Sequence, residues 1–260
     1  MTTMTNKYKP YLLAETNWKE VREIDYELAV LPWGATEAHN FHLPYATDNY
    51  QVEYVAEQAA AHAWEAGAKV VLLPCVPFGV NTGQLSVDLC INMRPATQLA
   101  VLYDIVDVLN RQGVDKLIIL NGHGGNDFKT MIRELSMPFP NVFIAWVNWY
   151  RVADWNLYFD EPGDHAGEME TSSMMHIRPD LVRPLVEAGQ GEAKTFRLDG
   201  FKEGWAVSQR DWHRVTTDTG VGNPAKATAE KGKLYLDDTV EKLAKFFVDL
   251  AKSTKDNLYE

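Results

Sequence analysis

Histidines and carboxylates recur in this chain at spacings that could gather them around a metal ion. The stretch Leu31-Pro-Trp-Gly-Ala-Thr-Glu-Ala-His-Asn-Phe-His-Leu-Pro-Tyr-Ala-Thr-Asp48 holds Glu37, His39, His42 and Asp48 within twelve positions. Glu37 and His39 are two apart, so an extended backbone points both the same way. Mixed imidazole and carboxylate is what zinc, manganese or iron accepts. The plainer reading makes Asp48 a helix N-cap and the histidines loop surface. A second stretch, Asn121-Gly-His-Gly-Gly-Asn126, allows unusual backbone torsions and a close approach to a ligand. It lacks the dinucleotide fingerprint, because position 127 is Asp, and it has no Gly-Lys-Ser/Thr phosphate loop. His123 there is a natural ligand, or the incidental histidine of a tight turn. In a third stretch, Gly163-Asp-His-Ala-Gly-Glu-Met-Glu-Thr-Ser172, His165 and Glu168 are three apart, as are Gly167 and Glu170. On a helix each pair shares a face. Glu168 and Glu170 could equally do no more than favour the dipole of a helix N-terminus. A histidine in a Gly-rich loop has less structural purpose, so His165 is the stronger candidate.

The elements that must position these residues are legible as an alternation. Apolar runs at 28–32, 69–73, 116–120 and 142–147 read as buried strands. Helical periodicity covers 48–66, 95–111, 126–135, 167–176 and 225–251. Continuously apolar strands separated by helices predict an α/β fold, a mainly parallel sheet covered on both faces. Ligands in such sheets bind beyond the carboxyl ends of the strands, where all three stretches fall. Together they offer at least two imidazoles and three carboxylates. That is enough for two divalent ions bridged by one carboxylate, a centre that acidifies a water and polarises a carbonyl.

The formal charge of −11 argues against nucleic acid and anionic membranes, because like charges repel. With 46 % hydrophobic and 23 % charged residues the chain reads as globular. Residues 1–260 are expected to form one domain. Cys75 and Cys90 are too few for a disulfide framework and read as buried thiols. No run approaches the ~18 apolar residues needed to cross a bilayer, and residues 1–8 show no leader pattern. A cytoplasmic location is the expectation.

The sequence resembles the creatininase (creatinine amidohydrolase) family. The matching stretches are Leu-Pro-Trp-Gly-Ala-Thr-Glu-Ala-His with the following Asp48, then Asn-Gly-His-Gly-Gly-Asn, then His-Ala-Gly-Glu-Met-Glu-Thr. A fourth is Gly220-Val-Gly-Asn-Pro-Ala-Lys-Ala-Thr-Ala-Glu-Lys-Gly232. They run in family order from about residue 12 to the C-terminus. The resemblance implies a three-layer α/β/α domain, two divalent metals per subunit and a ring-shaped homo-oligomer, commonly a hexamer. Carried over by motif, Glu37 and His123 would hold one metal, His39 the other, and Asp48 would bridge. Creatinine-hydrolysing members have a Glu two residues after the motif histidine, where this chain has Gly125, and Glu168 is inferred to replace it. His165 matches the catalytic histidine that serves as general acid and base. Trp149 matches a pocket-lining position. Glu161 stands where creatinine hydrolases place a substrate-contacting aromatic, and residues 81–93 lack their Phe-Pro-Gly-Thr pattern. His42, with Asn40, could touch a hydroxylated ligand or support the metal ligands. Trp205, Trp212 and His213 could close the pocket, form a subunit interface or pack in the core.

Hydrolysis of a small cyclic amide or related C–N bond is the first reading. Opening of a cyclic diketone derived from inositol, by C–C cleavage, is the second. A non-catalytic metal or sugar-binding protein is the third, against which the retained His165 argues.

Overall fold

The computed structural model describes residues 8–259. Residues 1–7, most of the stretch read above as lacking a leader, lie outside the described residues. Four strands form a sheet: β1 (Leu28–Trp33), β2 (Val70–Leu72), β3 (Lys116–Asn121) and β4 (Phe143–Asn148). Their spatial order is β2-β1-β3-β4, and all three pairings are parallel. Val30 pairs with Leu72 on one side and Ile118 on the other, and Ile118 pairs in turn with Ala145.

The strands are apolar on both faces because both are covered. Leu28, Val30, Ile118 and Leu120 join a core with α1 (Thr47–Glu65) and α5 (Ala229–Lys252). Ala29, Leu31, Trp33, Leu117 and Ile119 face the other way, onto α2 (Pro95–Arg111) and α3 (Lys129–Leu135). This is the expected three-layer α/β/α architecture. In α1 the buried side is Val52, Val55, Ala56, Ala59, Ala60 and Ala63, spacing that keeps one stripe of a helix inward. The helix ends at Gly67, whose φ of +89° suits a left-handed cap. α4 (Glu168–Ile177) packs against α1 and α5.

Two helices start later than the sequence pattern suggests. α3 begins at Lys129, not 126, because the Asn126 side chain is engaged elsewhere. Its Oδ1 accepts from Val80 N and Gln98 Nε2, and its Nδ2 donates to Asn121 Oδ1. α5 begins at Ala229, not 225, because the Thr228 hydroxyl caps it by accepting from Lys231 N, and Pro224–Lys226 forms a separate 3-10 turn. Among the described residues no helix is long and apolar enough to cross a membrane.

α4 and α5 meet at Gly232, where a Cβ would lie 2.0 Å from Ser172 O. The obstacle is backbone, so it cannot swing away. Gly232→Ala is expected to destabilise by about 2–3 kcal/mol, the cost of forcing packed elements apart, measurable by denaturant unfolding.

The order in which strands are added reverses between β1 and β3. β1 continues outward to β2, while β3 lies on its other side. The crevice at their carboxyl ends is a topological switch point, and the first two motif loops leave the sheet there.

Candidate metal centre

The loop after β1 carries Glu37 and His39. The first turn of α1 carries Asp48, the loop after β3 His123, the approach to α4 His165, and α4 itself Glu170. Asp48 is not a cap, since Ala46 holds that position. Its carboxylate turns into the crevice instead. Three sets of side chains converge there closely enough to share an ion: Glu37 with Asp48 and His123, His39 with Asp48 and Glu170, and Glu37 with His39 and His165. Asp48 belongs to two of the three. Its Oδ1 is 3.1 Å from His39 Nε2 and its Oδ2 3.1 Å from His123 Nδ1, which is also 2.8 Å from Glu37 Oε1.

Backbone carbonyls fix each imidazole. His39 Nδ1 lies 3.1 Å from Glu37 O, His123 Nε2 3.0 Å from Val80 O, and His165 Nε2 2.8 Å from Ala38 O. A carbonyl only accepts, so those nitrogens carry the hydrogens. The opposite nitrogens, His39 Nε2, His123 Nδ1 and His165 Nδ1, are left for the crevice. Outer hydrogen bonds of this kind set tautomer and ring orientation in metal sites. Glu37 is held likewise. Gln84 Nε2 donates to its Oε2, and Cys90 Sγ donates to Gln84 Oε1 while accepting from Ala38 N.

The residues fit divalent ions. Asp48 Oδ2 is buried and makes no well-formed hydrogen bond, despite His123 nearby. Glu170 is pushed above the usual carboxylate range, chiefly by burial and against the pull of His39 and His165, with Asp48 adding repulsion. Burial alone would lower His39, but Asp48 outweighs it by charge and hydrogen bond, with Glu170 and Glu37 adding, and raises it to about 10. His123 is likewise raised, burial being outweighed by Glu37 and Asp48. Both imidazoles are therefore protonated at neutral pH when no metal is present, and ligation requires them neutral. Metal uptake at pH 7 is expected to release about two protons, and affinity to rise with pH through the neutral range. Calorimetry in buffers of different ionisation enthalpy measures this, and buffer-independent heats would contradict it.

The structure brings Glu37, His39, Asp48, His123 and His165 together and leaves Glu168 outside the group. Glu168 and Glu170 are two apart, so they lie on nearly opposite sides of α4. Glu168 pairs with Lys231 at 2.5 Å and accepts from Glu161 N at 2.8 Å. The carboxylate that reaches the cluster is Glu170, whose Oε2 accepts from Ala166 N and lies 3.9 Å from His39 Nε2. Gly125 cannot carry a side chain in this arrangement, because a Cβ would lie 2.3 Å from Val80 O and 2.4 Å from His123 Nε2. The three expected substrate contacts also lie elsewhere. Trp149 is buried in the core against Tyr235, its ring turned inward by the 3-10 turn that follows β4. His42 is buried, bonded to Thr171 Oγ1 at 2.9 Å, and lowered to about 4 by burial and by His39. It ties the β1 loop to α4. Glu161 is exposed and 3.3 Å from Lys226.

A cavity of about 460 Å³ opens beside the cluster. Glu37, Asp48, His123, His165 and Glu170 form its floor, and Tyr150, Trp155, Phe196 and Trp212 supply aromatic wall. Of the aromatics from the irregular region, Trp212 lines it and meets His165 edge-on at 4.8 Å, whereas Trp205 is exposed and packs over Gly200. Sequence reasoning missed Gln84, Arg151 and Arg210. Arg151 follows a strand end and Arg210 lies near Trp212, but no sequence signal marks Gln84.

A parallel α/β sheet with imidazoles and carboxylates gathered at its carboxyl edge defines the class of metal-assisted hydrolase scaffolds. Comparison narrows the class. The chain belongs to the creatininase family, described as creatinine amidohydrolase, whose model matches residues 14–247, and it is a hydrolase. It is similar to a Mycobacterium ulcerans mycofactocin precursor peptide peptidase, 27 % identical over 229 residues covering 84 % of each chain. It is similar also to a Pseudomonas putida creatinine amidohydrolase, 24 % identical over 91 % of this chain and 95 % of that one. A crystal structure from Bacteroides fragilis, provisionally described as a creatinine amidohydrolase, is 47 % identical. It superposes with a TM-score of 0.90, over 97 % of this chain and all of the other. Creatininase structures in Zn-Zn and Mn forms share the fold, at TM-scores of 0.78 and 23 % identity, over 95 % and 94 % of this chain and all of each of theirs.

Proposed function

We propose that this protein hydrolyses an amide C–N bond at a two-metal centre. Glu37, Asp48 and His123 would hold one divalent ion, zinc or manganese or iron, and His39, Asp48 and Glu170 the other. The observation that carries the reading is Asp48, one buried carboxylate whose two oxygens serve two separate ligand sets. Two cations held there would supply the acidified water and polarised carbonyl that amide hydrolysis needs. The three carboxylates, costly to bury together as bare anions, are balanced by that charge.

His165 does the proton work. Its Nε2–H donates to Ala38 O, so Nδ1 presents a lone pair toward Glu37, 3.9 Å away, and toward the cavity. Nδ1 takes a proton from the attacking water and returns it to the departing nitrogen, the two tasks of a general base and acid. Trp212 and His39, which stacks on His165 at 4.1 Å, fix the ring and keep bulk water from it. Gln84 orients Glu37 from the side opposite His123.

The relatives named as peptidase and amidohydrolase both favour a C–N bond over the C–C bond of a cyclic diketone. The test is product analysis with metal-loaded protein. Amine or ammonia release from lactams, formamides or short peptides is expected. Ring opening of a cyclic diketone, with amides untouched, would overturn the reading.

A further inference from the structure

The cavity beside the cluster carries a charge that the hydrolytic chemistry does not use. Four carboxylates line it, Glu37, Asp48, Glu170 and Asp164, together with two guanidiniums, Arg151 and Arg210. Arg210 is already matched, since its Nη2 lies 2.8 Å from Asp164 Oδ2 and its guanidinium sits over the Trp212 ring. Arg151 is different. It ends the 3-10 turn Trp149–Arg151 directly after β4, at the carboxyl edge of the sheet. It is exposed, and among the described residues no carboxylate pairs with it. The nearest acidic residue in sequence, Asp154, turns its Oδ1 to Asn156. Tyr150, Trp155 and Phe196 line the same cavity.

An unmatched guanidinium in the wall of a cavity whose floor two cations would make positive favours an anionic group on whatever enters. A planar fork of donors matches a carboxylate bidentately. One guanidinium suffices for a monoanion, and the aromatic wall beside it suits an apolar side chain. We propose that Arg151 is the specificity-determining residue of this site. It receives the carboxylate of an N-acyl amino acid, whether the acyl group is simple or the rest of a short peptide, and so holds the adjacent amide over the cluster. The inference rests on the amide-hydrolase reading and narrows its substrate class.

Calorimetry with the metal-loaded protein tests it, using N-acetylphenylalanine and N-acetylalanylphenylalanine, each against its C-terminal amide. The wild type is expected to bind the carboxylates about tenfold more tightly than the amides, the value of one charge-assisted pair at an exposed site. Arg151→Gln is expected to erase the preference, Arg151→Lys to keep part of it, and Arg151→Glu to reverse it. Arg151 is exposed and, among the described residues, makes no side-chain hydrogen bond or ion pair, so these variants should fold and keep their metals. A preference confined to N-acetylphenylalanine identifies the free N-acyl amino acid as the source, and one confined to the longer probe identifies a peptide. Absence of binding, equal binding of acid and amide, tighter binding of phenyl phosphate, or a preference that survives Arg151→Gln overturns the inference. Cleavage of neutral amides by the same preparations would leave the amide-hydrolase reading standing.

Discussion

Glu170→Gln is expected to reduce the metal content from two ions per subunit to one, and Glu168→Gln to leave it at two. The two residues share a helix turn and a charge, so the pair tests direction. Glu170 Oε2 lies 3.9 Å from His39 Nε2 and belongs to the His39–Asp48 ligand set. An amide in its place keeps the size and loses the anion. The remaining His39 and Asp48 then hold an ion too weakly to survive dialysis, and activity is lost with it. Glu168 points away, to Lys231 and the Glu161 amide. Its neutralisation strands the Lys231 ammonium beside Asp160 alone. Glu168 is buried and Lys231 partly exposed, so losing this charged hydrogen bond costs about 1.5–3 kcal/mol, and Glu168→Gln lowers the midpoint of thermal unfolding while binding both metals. Elemental analysis beside thermal unfolding reads both effects. One metal in the Glu168 variant with two in the Glu170 variant would reverse the assignment.

That contrast marks where sequence stopped informing. Three of the four strands were legible because β1, β2 and β3 are apolar on both faces, a pattern only a covered parallel sheet needs. Glu37, His39, Asp48 and His123 were legible because their loops follow those strands directly. The choice between Glu168 and Glu170 was not. Both sit in the first turn of α4, and a linear pattern does not say which side of a helix meets the crevice. Periodicity limits the choice to one of them, and only the position of Lys231, sixty-three residues on, decides which. Trp149 failed for a related reason. A strand pattern gives the end of β4 but not the sense of the turn that follows, and that turn buries Trp149 while leaving Tyr150 and Arg151 on the cavity. Residues 192–216, which bring Phe196, Arg210 and Trp212 to the wall, have no periodicity, so their placement depends wholly on tertiary contacts.

His165→Asn is expected to lower kcat by about 10²–10⁴, the usual share of a positioned acid and base, while both metals stay bound. The geometry leaves two roles open to His165. It forms one ligand set with Glu37 and His39, yet its Nδ1 is 3.9 Å from Glu37 Oε1, whereas His123 Nδ1 is 2.8 Å from the same oxygen. The closer imidazole is the ligand, and the more distant one has room for a water between itself and the cluster. Its anchoring agrees. His165 hangs from Ala38 O, between the proposed ligands Glu37 and His39, and its backbone bridges to Val221 in the fourth motif, so ring position depends on the ligand loop and on a segment outside it. Asn is smaller and does not titrate in this range, so the variant should retain metal, bind substrate with little change in KM, and lose one limb of the pH–rate profile. Loss of an ion in His165→Asn would instead make His165 a ligand, and the proton carrier would then have to be sought among the remaining groups that line the cavity.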